Sequence, residues 1–269
     1  MTAVLLAVGV VAGLGLLAGL ILAVASVLLA VPVDEKVTQL REALPGANCG
    51  ACGYSGCDGY AEAMAHEGAE VGLCSPGGEK AAAETAAILG VADVKMEKKA
   101  AVVRCGGCEE VSHRKLEYHG IGSCAAANQF FSGDRACSYG CLGYGDCAAA
   151  CGFDAIHVVG GLAEVDSEKC TACGQCIKAC PKSLIALLPA TVAGVVRCSS
   201  HAAGAVTRKA CTAGCIGCMK CTKVCEHDAI TVQDHLASIQ PEKCVGCGKC
   251  AQVCPAGCID IRKAVGAAQ

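Results

Sequence analysis

Cys170, Cys173, Cys176 and Cys180-Pro181 stand two, two and three residues apart, and Cys244, Cys247, Cys250 and Cys254-Pro255 repeat that spacing. A third run, Cys215, Cys218, Cys221 and Cys225, keeps the interval but is followed by Glu226. Runs of this kind wrap [4Fe–4S] clusters in bacterial ferredoxins. Disulfides are a poor alternative. Cysteines this close in a triplet cannot all pair with good geometry, and thiolate ligands need a reducing compartment. Zinc sites split their ligands into two pairs across a loop, whereas these runs concentrate four cysteines in eleven residues. The spacing therefore implies short loops folded around several iron–sulfur clusters, and so electron transfer.

Composition agrees. There are 26 cysteines and 34 glycines in 269 residues, aromatic side chains make up 3%, and tryptophan is absent, so large apolar core residues are scarce. Small modules of this type draw much of their folding energy from bound metal. Beyond residue 100 the chain is expected to be largely unfolded without its clusters. Charge is uneven: residues 1–100 carry 6 Lys+Arg against 11 Asp+Glu, net −5, and residues 170–269 carry 11 against 5, net +6. The basic half suits docking of an acidic redox partner. It does not suggest nucleic-acid binding, because cluster loops occupy it and no nucleic-acid motif is present.

From Ala3 to Val33 no residue is charged, a stretch long enough to span a bilayer. It lacks the basic start and short apolar core of a cleaved signal peptide. Residues 1–33 are thus expected to be a transmembrane anchor. Lys36 and Arg41 follow it, and they place the remainder on the cytoplasmic side. Gly9 with Gly13 and Gly15 with Gly19 space small residues as in helices that pack closely in membranes. Residues 34–90 form the next unit. In it Asn48-Cys49-Gly50-Ala51-Cys52-Gly53-Tyr54-Ser55-Gly56-Cys57 and Cys74 flank a helix expected from Asp58 to Glu67. Cys49, Cys52, Cys57 and Cys74 make one closed four-thiolate site, with His66 on the surface. A helix from Ala81 to Leu89 ends at Gly90, and residues 91–100, with charges from Lys95 to Lys99, form a linker.

Beyond it the chain repeats itself, as residues 101–190 and 191–269. Val102-Val103-Arg104-Cys105 corresponds to Val195-Val196-Arg197-Cys198, and Ala136-Cys137 with Gly140-Cys141 to Ala210-Cys211 with Gly214-Cys215. Cys147, Cys151 and Asp154-Ala155-Ile156 correspond to Cys221, Cys225 and Asp228-Ala229-Ile230. Each unit reads as a two-cluster ferredoxin-like module with short strands near Ala155 to Val159 and Ala229 to Val232. In such modules the fourth cysteine of a run serves the other cluster. That rule groups Cys215, Cys218, Cys221 with Cys254; Cys244, Cys247, Cys250 with Cys225; and Cys170, Cys173, Cys176 with Cys151. Tyr144 stands where Cys218 stands in the second unit, leaving Cys141, Cys147 and Cys180 one ligand short. Cys137 is the nearest substitute, and an open coordination position is the competing reading. Five [4Fe–4S] clusters follow. Cys105, Cys108, Cys124, Cys198, Cys211 and Cys258 are left over, and a sixth cluster on Cys105, Cys108 and Cys124 stays open as an alternative.

The anchor, the Asn48–Cys57 motif with Cys74, and Ala136-Cys137-Ser138-Tyr139-Gly140-Cys141-Leu142-Gly143-Tyr144-Gly145-Asp146-Cys147 together resemble the B subunit of the Rnf electron-transport complex, in its longer form with two ferredoxin modules. The resemblance implies an α+β chain of small metal-stabilised modules behind a transmembrane helix. It matches Cys137, Cys141, Cys147, Cys151, Cys170, Cys173, Cys176 and Cys180 to the family's ferredoxin motif. It also implies a subunit of an ion-translocating ferredoxin:NAD oxidoreductase, passing electrons from soluble ferredoxin to other membrane and peripheral subunits while Na⁺ or H⁺ crosses the cell membrane. Gly152 and Glu226 depart from the proline that often follows the fourth cysteine. Neither a GxGxxG fingerprint nor a P-loop is present, so nicotinamide and flavin sites and a complete active site are expected on partner subunits. The competing readings are a polyferredoxin subunit of a membrane hydrogenase or formate dehydrogenase, and a redox sensor or scaffold.

Overall fold

The computed structural model describes residues 2–28, 34–92, 94, 96, 98–190 and 194–262. The expected end of the anchor at residues 29–33, Lys95 of the linker and the junction at residues 191–193 lie outside them. Helix α1 (Thr2–Leu28) contains one apolar span, Val8–Ser26, of mean hydropathy 2.5. The leucines and valines of that span are exposed, for example Leu16 at 77% and Val11 at 70%, which water penalises and lipid does not. At 1.5 Å per residue its 27 residues reach about 40 Å, enough to cross a hydrocarbon core with tilt.

The next unit has an ordinary apolar core. Helix α2 (Glu35–Ala43) starts at Asp34, whose carboxylate accepts the Lys36 N–H at 2.8 Å. It buries Leu40 and Leu44 against Tyr60 and Met64. Helix α3 (Cys57–Glu62) is shorter than expected. The backbone widens into a π turn over Ala63–Glu67 and stops at Gly68, whose φ of 69° suits glycine. His66 is on the surface beside Asp34, at 3.5 Å. Helix α4 (Gly78–Leu89) ends at Gly90, also left-handed.

The two repeats share one plan. In the first, β1 (Lys99–Val103) pairs antiparallel with β4 (Ile185–Pro189), and β2 (Ile156–Val159) forms a hairpin with β3 (Leu162–Val165). Lys99, expected in the linker, is thus the first strand residue. Helices α5 (Cys124–Asn128), α6 (Asp146–Ala149) and α7 (Gln175–Ala179) complete it. In the second, β5 (Gly194–Val196) pairs with β8 (Ile259–Ile261) and β6 (Ile230–Gln233) with β7 (Leu236–Ile239), with helices α8 (Gly204–Ala210), α9 (Lys220–Lys223) and α10 (Lys249–Gln252). The cysteine loops lie against these sheets. Gly143 and Gly217, equivalent residues, pass so close to the hairpin turns that a Cβ would sit 2.4 Å from Gly161 O and 2.9 Å from His235 Cα. Both also have positive φ, so glycine is required twice over.

Each fourth cysteine is followed by the same turn. Asp154, Ser183 and Asp228, at φ of 50°, 51° and 46°, occupy the left-handed region three residues on, as Gly257 does at 59°. Gly152 and Glu226 therefore do not alter the turn. Glu226 instead pairs with Lys249 across the module.

Cysteine makes up much of both module cores. Cys105, Cys147 and Cys176 are buried among Ile156, Leu162, Leu184 and Ile185, and Cys215, Cys221, Cys250 and Cys258 among Val196, Ile230 and Ile259. Stripping iron with a chelator is expected to abolish the circular-dichroism signal of strands and cooperative unfolding beyond residue 98. A metal-free chain that keeps a native-like spectrum and a sharp melting transition would contradict that.

Candidate iron–sulfur ligand sites

In the N-terminal unit Asn48 Oδ1 accepts the Cys57 N–H at 2.8 Å and closes the glycine-rich loop onto α3. Tyr60, stacked on Tyr54 at 5.3 Å, donates its hydroxyl to Glu70 O at 2.7 Å and accepts the Leu73 N–H at 3.2 Å. These two bonds bring the returning segment, and Cys74 with it, over the loop. Burial raises the Cys74 thiol, and Cys57, Cys49 and Cys52 push it the same way, so the four sulfurs are neighbours.

Cys170, Cys173, Cys176 and Cys151 also converge. Burial pushes the Cys176 thiol up to about 11, with Cys170, Cys173 and Cys151 adding to it. The Ala101 N–H of β1 donates to Cys170 Sγ at 3.3 Å and the Ala155 N–H to Cys151 Sγ at 3.4 Å, bonds that favour a thiolate. In the second unit Cys215, Cys218, Cys221 and Cys254 line one hollow. Cys250 neighbours Cys244 and Cys247, and it shares a core with Cys225. Cys258 adjoins the former set: its Sγ lies 3.5 Å from Cys254 Sγ, and its thiol holds Cys215 below the usual thiol range.

The incomplete set is completed differently from expectation. Cys124, not Cys137, lines the hollow formed by Cys141, Cys147 and Cys180. Burial raises the Cys147 thiol to about 12, followed by Cys141, Cys124 and Cys180. The cause is a carboxylate. Asp146, beside Cys147, accepts the Cys124 N–H, the Ala125 N–H and the Ser123 hydroxyl, each at 2.9 Å, and so pins the start of α5. Burial pushes the Asp146 carboxyl up, but these donors outweigh it and hold the group below the usual carboxylate range. Tyr144 helps in another way: its hydroxyl donates to the buried Asp134 at 2.9 Å, and Arg114 lies over its ring at 5.8 Å, tying down residues 109–136. Length was the missed signal. Thirty-two positions separate Cys105 from Cys137 but thirteen separate Cys198 from Cys211, so the first unit carries an insertion, and Cys124 is in it. Cys137 instead lies with Cys105, Cys198 and Cys211, and Cys105 and Cys124 line different hollows.

Among the described residues no three His, Cys, Asp or Glu side chains converge tightly enough for a single metal ion. A cube with iron at four corners holds its thiolates further apart than one tetrahedral ion does, so the donor sets fit clusters better than zinc.

Comparison with known proteins agrees with the ligand chemistry. Residues 44–76 match a family described as "Putative Fe-S cluster", residues 163–185 a "4Fe-4S binding domain" and residues 214–258 a "4Fe-4S dicluster domain". The chain is 43% identical over 245 residues to the B subunit of the Na(+)-translocating ferredoxin:NAD(+) oxidoreductase complex of Acetobacterium woodii, covering 90% of this chain and 73% of that one. It is 38% identical over 237 residues to the B subunit of the ion-translocating oxidoreductase complex of Methanosarcina acetivorans, covering 88% and 90%. This chain belongs to the family of Rnf B subunits. A further Rnf relative, the B subunit of the proton-translocating ferredoxin:NAD(+) oxidoreductase complex of Clostridium ljungdahlii, is 38% identical over 228 residues, covering 84% and 80%.

Replacing Asp146 by Ala removes three hydrogen bonds at the start of α5, a loss of roughly 1–2 kcal/mol by analogy with helix caps. Asp146→Ala and Cys124→Ser are each expected to lose one cluster, about four irons per chain. Iron content unchanged in Cys124→Ser would return Cys137 or an open position to that site.

Proposed function

We propose that the chain is the iron–sulfur relay subunit of a membrane complex that couples electron transfer between reduced ferredoxin and NAD to movement of Na⁺ or H⁺. Five [4Fe–4S] clusters would be held by the sets built on Cys49, on Cys151, on Cys124, on Cys215 and on Cys225. When bound, such clusters store and pass single electrons at potentials tuned by hydrogen bonds to sulfur and by exposure. The protein residues position and bury them, and no side chain has to act as acid, base or nucleophile.

Adjacency of the sites carries this reading. Gln175, next to Cys176, donates its amide to Cys49 O at 2.6 Å, so the N-terminal site abuts the first module. Within the first module each helix would serve both sites: Cys147 lies in α6 with Cys151 just beyond it, and Cys176 in α7 with Cys180 just beyond it. Exposure supports a direction. Cys173 is buried and Tyr144 half-buried, whereas their counterparts in the second module, Cys247 and Cys218, are exposed beside Val245 and Met219 at 61% and 51%. The second module is thus the accessible end, where Lys220, Lys223 and Lys243 are exposed. Ferredoxin, an acidic partner, would dock there, and electrons would run toward the N-terminal site and the anchor. Thiolate chemistry and the basic residues after α1 support a single-pass anchor with the modules on its cytoplasmic side. NAD and flavin sites would belong to partner subunits.

Lys220→Glu with Lys223→Glu is expected to slow reduction by ferredoxin about tenfold or more at low ionic strength, and to flatten its salt dependence. Lys249 is best left unchanged, because it pairs with Glu226. An unaltered rate at low salt, measured by stopped-flow absorbance, would refute this docking face.

A further inference from the structure

Four cysteines outside the five sets meet at the junction of the two modules. Cys105 and Cys137 come from the first, Cys198 and Cys211 from the second, and all four line one hollow. They are repeat equivalents, Cys105 of Cys198 and Cys137 of Cys211. Each module therefore contributes the same pair, and neither pair completes a four-thiolate site without the other. Burial pushes the Cys211 thiol up to about 11, and Cys105, Cys137 and Cys198 push it further in the same direction.

The equivalent sulfurs of Cys105 and Cys198 are dressed alike. Cys105 Sγ accepts the Gly107 N–H and Cys198 Sγ the Ser200 N–H, both at 3.4 Å. Each donor is two residues beyond its cysteine. Cys105 Sγ also accepts the Cys141 N–H at 3.4 Å. Donors in this arrangement favour thiolates. The wall contains no carboxylate, and it includes Arg197, whose guanidinium donates to Cys105 O at 3.2 and 3.3 Å. That charge suits an anionic cube.

The junction around the hollow is fastened. Val102 and Val195, themselves equivalents, pack together with Leu188. Ser199 Oγ donates to Arg104 O at 2.9 Å, Ser112 Oγ to Ala210 O at 3.2 Å, and the Thr212 N–H to Val111 O at 2.9 Å. On either side the next ligand is four residues away, Cys141 after Cys137 and Cys215 after Cys211.

We propose that Cys105, Cys137, Cys198 and Cys211 hold a further [4Fe–4S] cluster, shared equally between the modules, that joins their two pairs of sites into one line. The role in a line rests on the relay reading, whereas the ligand set rests on the geometry alone. Surplus cysteines then reduce to Cys108 and Cys258, and the latter packs beside the Cys215 set.

The test is iron, sulfide and zinc content of the anaerobically purified full chain. Expected are about 24 irons and as many sulfides per chain, four to each cube. Cys198→Ala with Cys211→Ala is expected to lose about four of each, and Cys108→Ala none. A wild-type content of about 20 would overturn the proposal, and so would an unchanged content in the double variant or one zinc per chain. Because the wild-type count is decisive, misfolding of the double variant does not protect the idea. A chain with about 20 irons that still passes electrons removes the junction cluster and keeps the relay; one without iron removes both.

Discussion

The bond between cysteine sulfur and iron is the interaction on which this structure depends. In the two repeats the thiols take the place that large apolar side chains hold in an ordinary domain. Their loops are short, glycine-rich and bent through left-handed residues, and the strands flanking them have three to five residues. Such pieces have little reason to adopt one arrangement in water unless something at the centre binds several of them at once. The N-terminal unit differs, since Leu40, Leu44, Tyr60 and Met64 give it a core of its own beside the thiolates.

The same bond organises the chain at larger scale. The last cysteine of a run lies with the other run of its module, Cys254 with Cys215, Cys218 and Cys221 and Cys180 with Cys141 and Cys147, so loading one position would order the other. Contacts then extend this coupling outward, through Gln175 to the N-terminal loop and through Arg197 and Ser199 to the partner module. Packing and electron routing are consequently the same problem, and a contact that tightens a junction also shortens the distance between redox centres.

Regular features were legible in the primary structure because they are local. The spacing of each run, the short strands after Asp154 and Asp228, the Gly90 stop and the duplication depend on neighbours along the chain. What escaped depends on tertiary contact. Tyr144 announces a missing thiolate but not its replacement, since Cys124 reaches the site only through Asp146 and an insertion absent from the second module. Assigning Cys137 by proximity in sequence overlooked that Cys211, its equivalent, was equally unclaimed. Two orphan pairs at matching positions of a duplication indicate a shared site, and that symmetry was already visible. The π turn after Glu62, which carries the buried Met64, has no signal in the local sequence.

Mössbauer spectroscopy of anaerobically purified full-length protein, from cells grown on the Mössbauer-active iron isotope, tests the thiolate–cluster basis most directly. Expected is essentially all iron in the delocalised signals of [4Fe–4S] cubes, becoming paramagnetic on reduction. Iron in mononuclear sites, or cysteines found as zinc ligands or cystines, would contradict it.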